Sequence, residues 1–333
     1  MDTRLDTIEI DAVDLTDTMY VATFPLKVPQ RLLESIAGVG MIVPPLVEKI
    51  NGDSGMMTCR VVCGWRRVAA CRKLGKKSIP AHVTLQAGSG TISPGLLLAS
   101  LHDNITQRSL NLIEQAHILR RLSSAFGDER TLHEFMPLMG ISKSWEILRR
   151  YLLIPDMEEH VKEWLVAGSV SLKEIDSIAG LPPADLDSLI AFMNMLAPGV
   201  NLRREIHRLL VELSRLDNVH VSEIIQKSEI PAILESDAEP SWKIESIRHL
   251  LRTWRYPELS KIEGHFHEKC AGIGLPPAIE LWHPEFYEEK RYTLGVTFED
   301  SKGFEDMLNR LEKSREKIMK MLDDINGMVF PGE

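Results

Sequence analysis

Gly64 constrains this chain more than any other residue, because it separates a run that reads as a strand from a run that reads as a helix. Thr58 to Val62 are β-branched or apolar with one arginine; Arg66 to Leu74 carry helix-forming residues. Gly64 is then a strand-to-helix corner, and the N–H groups of the next turn face outward as an anion site. Arg66 and Arg67 supply forked guanidinium groups suited to phosphate oxygens. No acidic residue occurs between Asp53 and Asp103, whereas Arg60, Arg66, Arg67, Arg72, Lys73, Lys76 and Lys77 are all basic. On a chain of net charge −9 this reads as a segregated basic patch. The plain alternative is a solvated helix face, with Gly64 serving only the turn.

The neighbouring residues extend the pattern. Gly64, Arg66-Arg67, Ala69-Ala70, Leu74-Gly75 and Ile79-Pro80 follow in order. Upstream stand Leu33-Glu34-Ser35-Ile36, Gly40 and Pro44-Pro45-Leu46-Val47; downstream stand Asp103-Asn104-Ile105 and Leu110-Asn111-Leu112-Ile113-Glu114-Gln115-Ala116. In these blocks the chain resembles the ParB/sulfiredoxin-like superfamily, and its ParB branch in particular, over roughly residues 8–155. The resemblance implies an α+β protein: a small mixed-sheet N-terminal domain followed by an all-helical domain with a helix-turn-helix.

It also implies a function. ParB-type proteins bind CTP with Mg²⁺ and close a dimeric clamp on DNA in chromosome or plasmid partition or related regulation. Carried over, Gly64, Arg66, Arg67 and Asn104 hold the nucleotide, and Asp103 and Asn104 offer oxygens to the metal, within the one or two protein ligands Mg²⁺ favours. Two positions depart from the family. Val43 stands where a glutamine is usual, and the family's arginine falls on Gln107, leaving Arg108 one position late. On a helix that step is a rotation of about 100°, so Arg108 is expected to point elsewhere unless a bulge restores the register. Slow CTP hydrolysis stays open as an enzymatic step. A nuclease is disfavoured because no dense carboxylate cluster accompanies the basic run. The runner-up is an adaptor that keeps the fold and has lost CTP or specific DNA binding. Sulfiredoxin chemistry is disfavoured because Trp65 occupies the position of that branch's reactive cysteine. Cys59, Cys63, Cys71 and Cys270 give no zinc-finger spacing and read as reduced thiols.

The 333 residues, 44% of them apolar, suit a multi-domain chain. The expected boundaries are 1–105 for the sheet domain, 106–198 for the helical domain, 199–265 for a helical connector and 266–333 for a C-terminal unit. In the sheet domain Ile8–Val13, Leu46–Ile50 and Arg60–Val62 read as strands, with helices at Gln30–Gly38 and Arg66–Leu74; Gln86–Gly95 reads as a hinge loop. In the helical domain Thr131–Met139, a Gly140 turn and Lys143–Ile154 form the helix-turn-helix, with Ser142 as N-cap and Pro137 costing a hydrogen bond in the first helix. Ser142, Lys143, Ser144, Arg149 and Arg150 are its candidate DNA-binding residues. At the C-terminus, Ala278–Trp282 and Tyr292–Phe298 read as a hairpin and Lys302–Ile325 as a helix, a ββα-like unit too small to stand alone. A homodimer is the implied remedy, packing on Trp254–Leu259 the other. His265, His267 and Cys270 are read as lacking a fourth metal ligand. No apolar run is long enough to span a bilayer, so a cytoplasmic, nucleoid-associated protein is expected, with DNA and a ParA-type ATPase as implied partners and no membrane contact.

Overall fold

Five segments pair into one mixed sheet: β1 (Thr3–Glu9), β2 (Val13–Asp14), β3 (Leu46–Asn51), β4 (Met57–Cys63) and β5 (Ser78–Leu85), in the order β1-β5-β3-β4-β2. Pairs β1/β5 and β3/β4 are antiparallel, β3/β5 and β2/β4 parallel. The expected strand Ile8–Val13 is broken, because a 3₁₀ turn at Ile10–Ala12 carries the chain from one edge of the sheet to the other. Strand β5 has no counterpart among the expected strands. Pro80 conceals it, since proline is rare inside a sheet; here Pro80 pairs only with Thr7 of β1, and β3 joins from His82 onward. This computed structural model describes residues 2–51, 57–85, 91–168, 170–227, 229–284, 287 and 289–329. The first half of the expected hinge loop, 86–90, lies outside them.

The strand alternation gives the sheet two different faces. On one, Val47, Cys59, Val61, Ala81 and Val83 pack under α1 (Gln30–Val39) and α2 (Trp65–Lys73), which contribute Ile36, Trp65, Val68 and Ala70. On the other, Val62 and Cys63 meet Leu96, Leu97 and Leu101 of α3 (Pro94–Gln107) and Ile118 and Leu122 of α4 (Leu112–Phe126). Helix α4 starts with a reciprocal capping box, Asn111 accepting from the Glu114 N–H and Glu114 accepting from the Asn111 N–H.

Two compact units, Met1–Ile190 and Ala191–Glu333, make up the chain. Beyond α4, the first unit is helical, with α5 (Trp145–Leu153) and α6 (Glu159–Ala167). The second contains helices α7 (Val200–Asp217), α8 (Pro240–Arg255) and α9 (Pro257–Ile273), then the antiparallel hairpin β6 (Ile279–Trp282)/β7 (Thr293–Val296) and α10 (Ser301–Val329). Hairpin and α10 share a small core with α9, through Leu259, Phe266, Leu281, Met321 and Ile325. Among the described residues no helix is long and apolar enough to cross a membrane.

His117, on α4, gives the first unit a pH dependence. Burial, and then the Arg121 and Lys162 charges, push its imidazole down to about 4 from the ordinary 6.5. Below pH 6.5 the unfolded chain takes up a proton that the folded ring refuses, so this contribution to stability falls as pH drops from 6.5 towards 4. Discounted for partial exposure, the loss amounts to about 2 kcal/mol by pH 4. Denaturation midpoints between pH 7 and 4 will decline less for His117→Leu than for the wild type.

Candidate functional site

Gly64 adopts the left-handed conformation, φ 88° and ψ 26°, at the N-cap of α2. The positive φ favours glycine there. A β-carbon would be strained at that φ, and it would stand 2.9 Å from Arg67 Nη2, because the Arg67 guanidinium folds back over the corner. Arg67 Nη1 donates to the Val43 and Pro44 carbonyls at 2.8 and 3.3 Å, and Nη2 lies 3.8 Å from Asp103 Oδ2. Thus the Val43 backbone orients Arg67, although its side chain differs from the family's residue. Asp103 sits near the end of α3, where its Oδ1 accepts from Gln107 Nε2 at 2.6 Å. It also neighbours the buried Cys63, whose thiol is pushed up to about 12 by burial and then by the Asp103 charge; such a thiol is a poor nucleophile.

The second cluster centres on Glu114, which sequence reasoning assigned only to a helix motif. Its carboxylate is 1% exposed and accepts from four groups. Oε1 takes the Phe24 N–H at 3.1 Å and Arg66 Nη2 at 3.5 Å; Oε2 takes the Asn111 N–H at 3.1 Å and Arg108 Nη1. Arg108 Nη2 also donates to Asn104 Oδ1 at 3.3 Å. The expectation that Arg108 points elsewhere is corrected. Helix α3 ends at Gln107, Arg108 is extended (φ −163°, ψ 161°), and its side chain turns back to the site. The signal lay in Asn111-x-x-Glu114, a capping box that starts a new helix and so ends the old one before it.

The basic run is not one surface patch. Arg60, on the α3-facing side of β4, is 7% exposed and bonds Asp17 and Glu48. Arg72 donates to the Ile10 and Val13 carbonyls, bracing the crossover turn. Lys73, Lys76 and Lys77 remain exposed. Alternation along the strand explains the difference, since Arg60 falls between Cys59 and Val61 and must face the opposite way.

No protein-family model matches the chain. The probable chromosome-partitioning protein ParB of Chlamydia pneumoniae is 27% identical over 165 residues, 50% of this chain and 55% of that protein. Its counterpart in Chlamydia trachomatis is 26% identical over 190 residues, 57% of this chain and 64% of that protein. The matched part of this chain is similar to the ParB chromosome-partitioning proteins. The chain therefore spans between about half and two thirds of the length of these curated ParB relatives. Among solved structures, C-terminally truncated ParB from Caulobacter crescentus complexed to the centromeric parS site is 19% identical, covering 61% of this chain and 98% of that chain at TM-score 0.32. The same protein complexed with CTP-gamma-S is 21% identical, covering 57% of this chain and 98% of that chain at TM-score 0.25.

The residues expected to contact DNA lie just ahead of α5 and along it. Ser144, not Ser142, is its N-cap, accepting from the Ile147 N–H at 3.4 Å; Ser142 and Lys143 are exposed ahead of it. The helix starts later than expected because the chain is still extended at Ser144, φ −149° and ψ 129°. Pro137 is accommodated by a wide π turn at Thr131–Phe135, where the Met136 N–H bonds the Thr131 carbonyl. Arg149 Nη2 lies 3.2 Å from Asp176, and Arg150 Nε bonds Asp176 at 2.6 Å while its Nη2 bonds Glu146. Of the five, Lys143 is an exposed cation and Arg149 is 67% exposed beside a single acid.

Elsewhere Cys59 and Cys71 are buried in the sheet core. His267 hydrogen-bonds the Glu263 carbonyl within its own helix, and Cys270 turns to Met321 in the C-terminal core. Among the described residues no three His, Cys, Asp or Glu side chains converge on one point.

Proposed function

We propose that the first unit binds CTP with Mg²⁺ and couples that binding to DNA, as a partition-type clamp or a regulator built on the same parts. The supporting observation is the 3.8 Å approach of Arg67 to Asp103, which joins the glycine-arginine corner to the acid-asparagine pair across two elements. Gly64, Arg66 and Arg67 then form the phosphate-binding corner, with Asn104 beside them. Asp103 and Asn104 fit Mg²⁺ by donor type, since the ion prefers hard oxygens and takes most of its shell from phosphates and water. The ion's contribution is to neutralise triphosphate charge. On the helical side we assign Ser142, Lys143, Ser144, Arg149 and Arg150 to a helix-turn-helix surface for DNA.

Self-association through the C-terminal hairpin and helix belongs to the same reading. Trp282, Leu294, Phe298 and Phe304 are 42–52% exposed there, apolar surface that a second copy would cover. A ParA-type ATPase and a nucleoid location complete this reading.

The test is equilibrium binding of labelled CTP with Mg²⁺, competed by unlabelled CTP, UTP, ATP and GTP. Selective competition by CTP, weakened at least about tenfold by Arg67→Ala, is expected. Unaltered CTP affinity in that variant would refute the site assignment.

One observation favours an adaptor as the second reading. The site's arginines are already engaged by the protein, Arg67 with the Val43 and Pro44 carbonyls and Arg66 and Arg108 with Glu114. Salt separates the two. A DNA-binding clamp loses affinity steeply between 50 and 200 mM salt, whereas an adaptor has little DNA affinity to lose.

A further inference from the structure

Glu114 is a fully enclosed carboxylate with two guanidinium groups on it and a backbone N–H on each oxygen. Two arginines sharing one acid leave an excess positive charge. Arg66 records the crowding: burial and then the Arg108 charge lower its affinity for a proton, with Glu114 opposing. Its Nε is buried and has no hydrogen-bond partner among the described residues. Both side chains nevertheless reach the surface, 28% and 27% exposed. Asn104, adjacent to Asp103, is held by the same Arg108.

We propose that Glu114 is the positioning residue of the nucleotide site, holding Arg66 and Arg108 side by side so that they act as one two-headed clamp on a phosphate group. The inference rests on the triphosphate reading above and adds Arg108 to it as a ligand-binding residue. Without the carboxylate, like charges would drive the guanidinium groups apart; with it, both are held on one acid. Because Glu114 also bonds the Phe24 and Asn111 N–H groups, the clamp is fixed to the segment before α1 and to the start of α4. A phosphate drawn to Arg108 would compete with Asn104 and Glu114 for its donors, a strain placed on the Arg108–Asn111 link between α3 and α4.

The experiment measures affinity for CTP and for inorganic tripolyphosphate, each with Mg²⁺, in wild type, Arg108→Ala, Glu114→Gln and the double variant, with folding followed by circular dichroism. Arg108→Ala is expected to weaken both ligands about tenfold, the loss of one charge-assisted pair. Glu114→Gln should do the same, and the double variant should be little worse than either single one, because the two act through one clamp. Arg108→Lys should fail to rescue, since a point charge lacks the fork.

Additive losses, or unchanged affinity in Arg108→Ala, would overturn the proposal even if Glu114→Gln fails to fold. Wild-type binding of tripolyphosphate without CTP selectivity, with the coupling intact, would retain the clamp and remove the CTP reading. Wild-type binding of neither ligand would remove both.

Discussion

Arg60→Met is expected to destabilise the first unit by about 3–5 kcal/mol, the cost of stranding a buried charge. Arg60 and Glu48 have side chains 8% and 3% exposed, with Nη1 to Oε2 at 3.4 Å; the Arg60 Nε bonds Asp17, which is 18% exposed. Burial already pushes the Glu48 carboxyl above its usual range, and the Arg60 charge is the chief force holding it down. Methionine fills much of the volume and supplies no charge, so Glu48 must take up a proton in the folded state. A folded-state carboxyl that titrates above its unfolded value makes stability fall as pH rises. The variant's deficit should therefore be larger at pH 8 than at pH 5. Adding Glu48→Leu removes the stranded acid and should recover most of the loss, because an apolar pair of similar size has no desolvation penalty to offset. Urea midpoints of wild type, single and double variants at both pH values test this. Equal deficits at pH 5 and pH 8 would contradict the account.

Arg60 also marks where reading the residues in order reaches its limit. As one cation in an acid-free run it looked like part of a surface patch. Its partners, Asp17 and Glu48, lie 43 and 12 residues away; pairing of β3 with β4 sets Glu48 opposite Arg60, and pairing of β2 with β4 brings in the chain that carries Asp17. Local features were legible. The turn at Gly64, the helix after it and the C-terminal hairpin each follow from residues within a few positions of one another. Features set by a neighbouring strand or by a helix end were not. Strand β5 was hidden by Pro80, whose tolerance depends on where β3 begins. The start of α5 was put at Ser142, although a second serine two residues on competes for the same cap. Arg108 was misdirected by applying helical geometry at its position, where the chain is extended. The residues put forward for the candidate site were single positions along the chain, and the carboxylate hub at Glu114 was visible only once four segments had met.

Trp65→Ala is the second change with a large expected effect, about 3–5 kcal/mol for a buried aromatic cut back to a methyl. Trp65 is the first residue of α2, 8% exposed, and packs into the sheet core with Val61, Val68 and Ala81. Its indole N–H donates to the Leu15 carbonyl at 3.1 Å, tying the helix start to the chain that leaves β2. Phe in its place keeps most of the apolar burial and gives up that hydrogen bond, so Trp65→Phe should cost about 1 kcal/mol. The two variants also divide stability from function. Arg66 and Arg67 follow directly, and their directions depend on the first turn of α2 staying against the sheet. If that anchoring is what aims them, Trp65→Phe will retain the proposed CTP affinity within about twofold, while Trp65→Ala, measured at a temperature where it is still folded, will lose that affinity together with Arg67's hold on the Val43 carbonyl. A Trp65→Ala protein that is folded and binds CTP as tightly as the wild type would mean that Gly64 and the strand fix the corner without the indole.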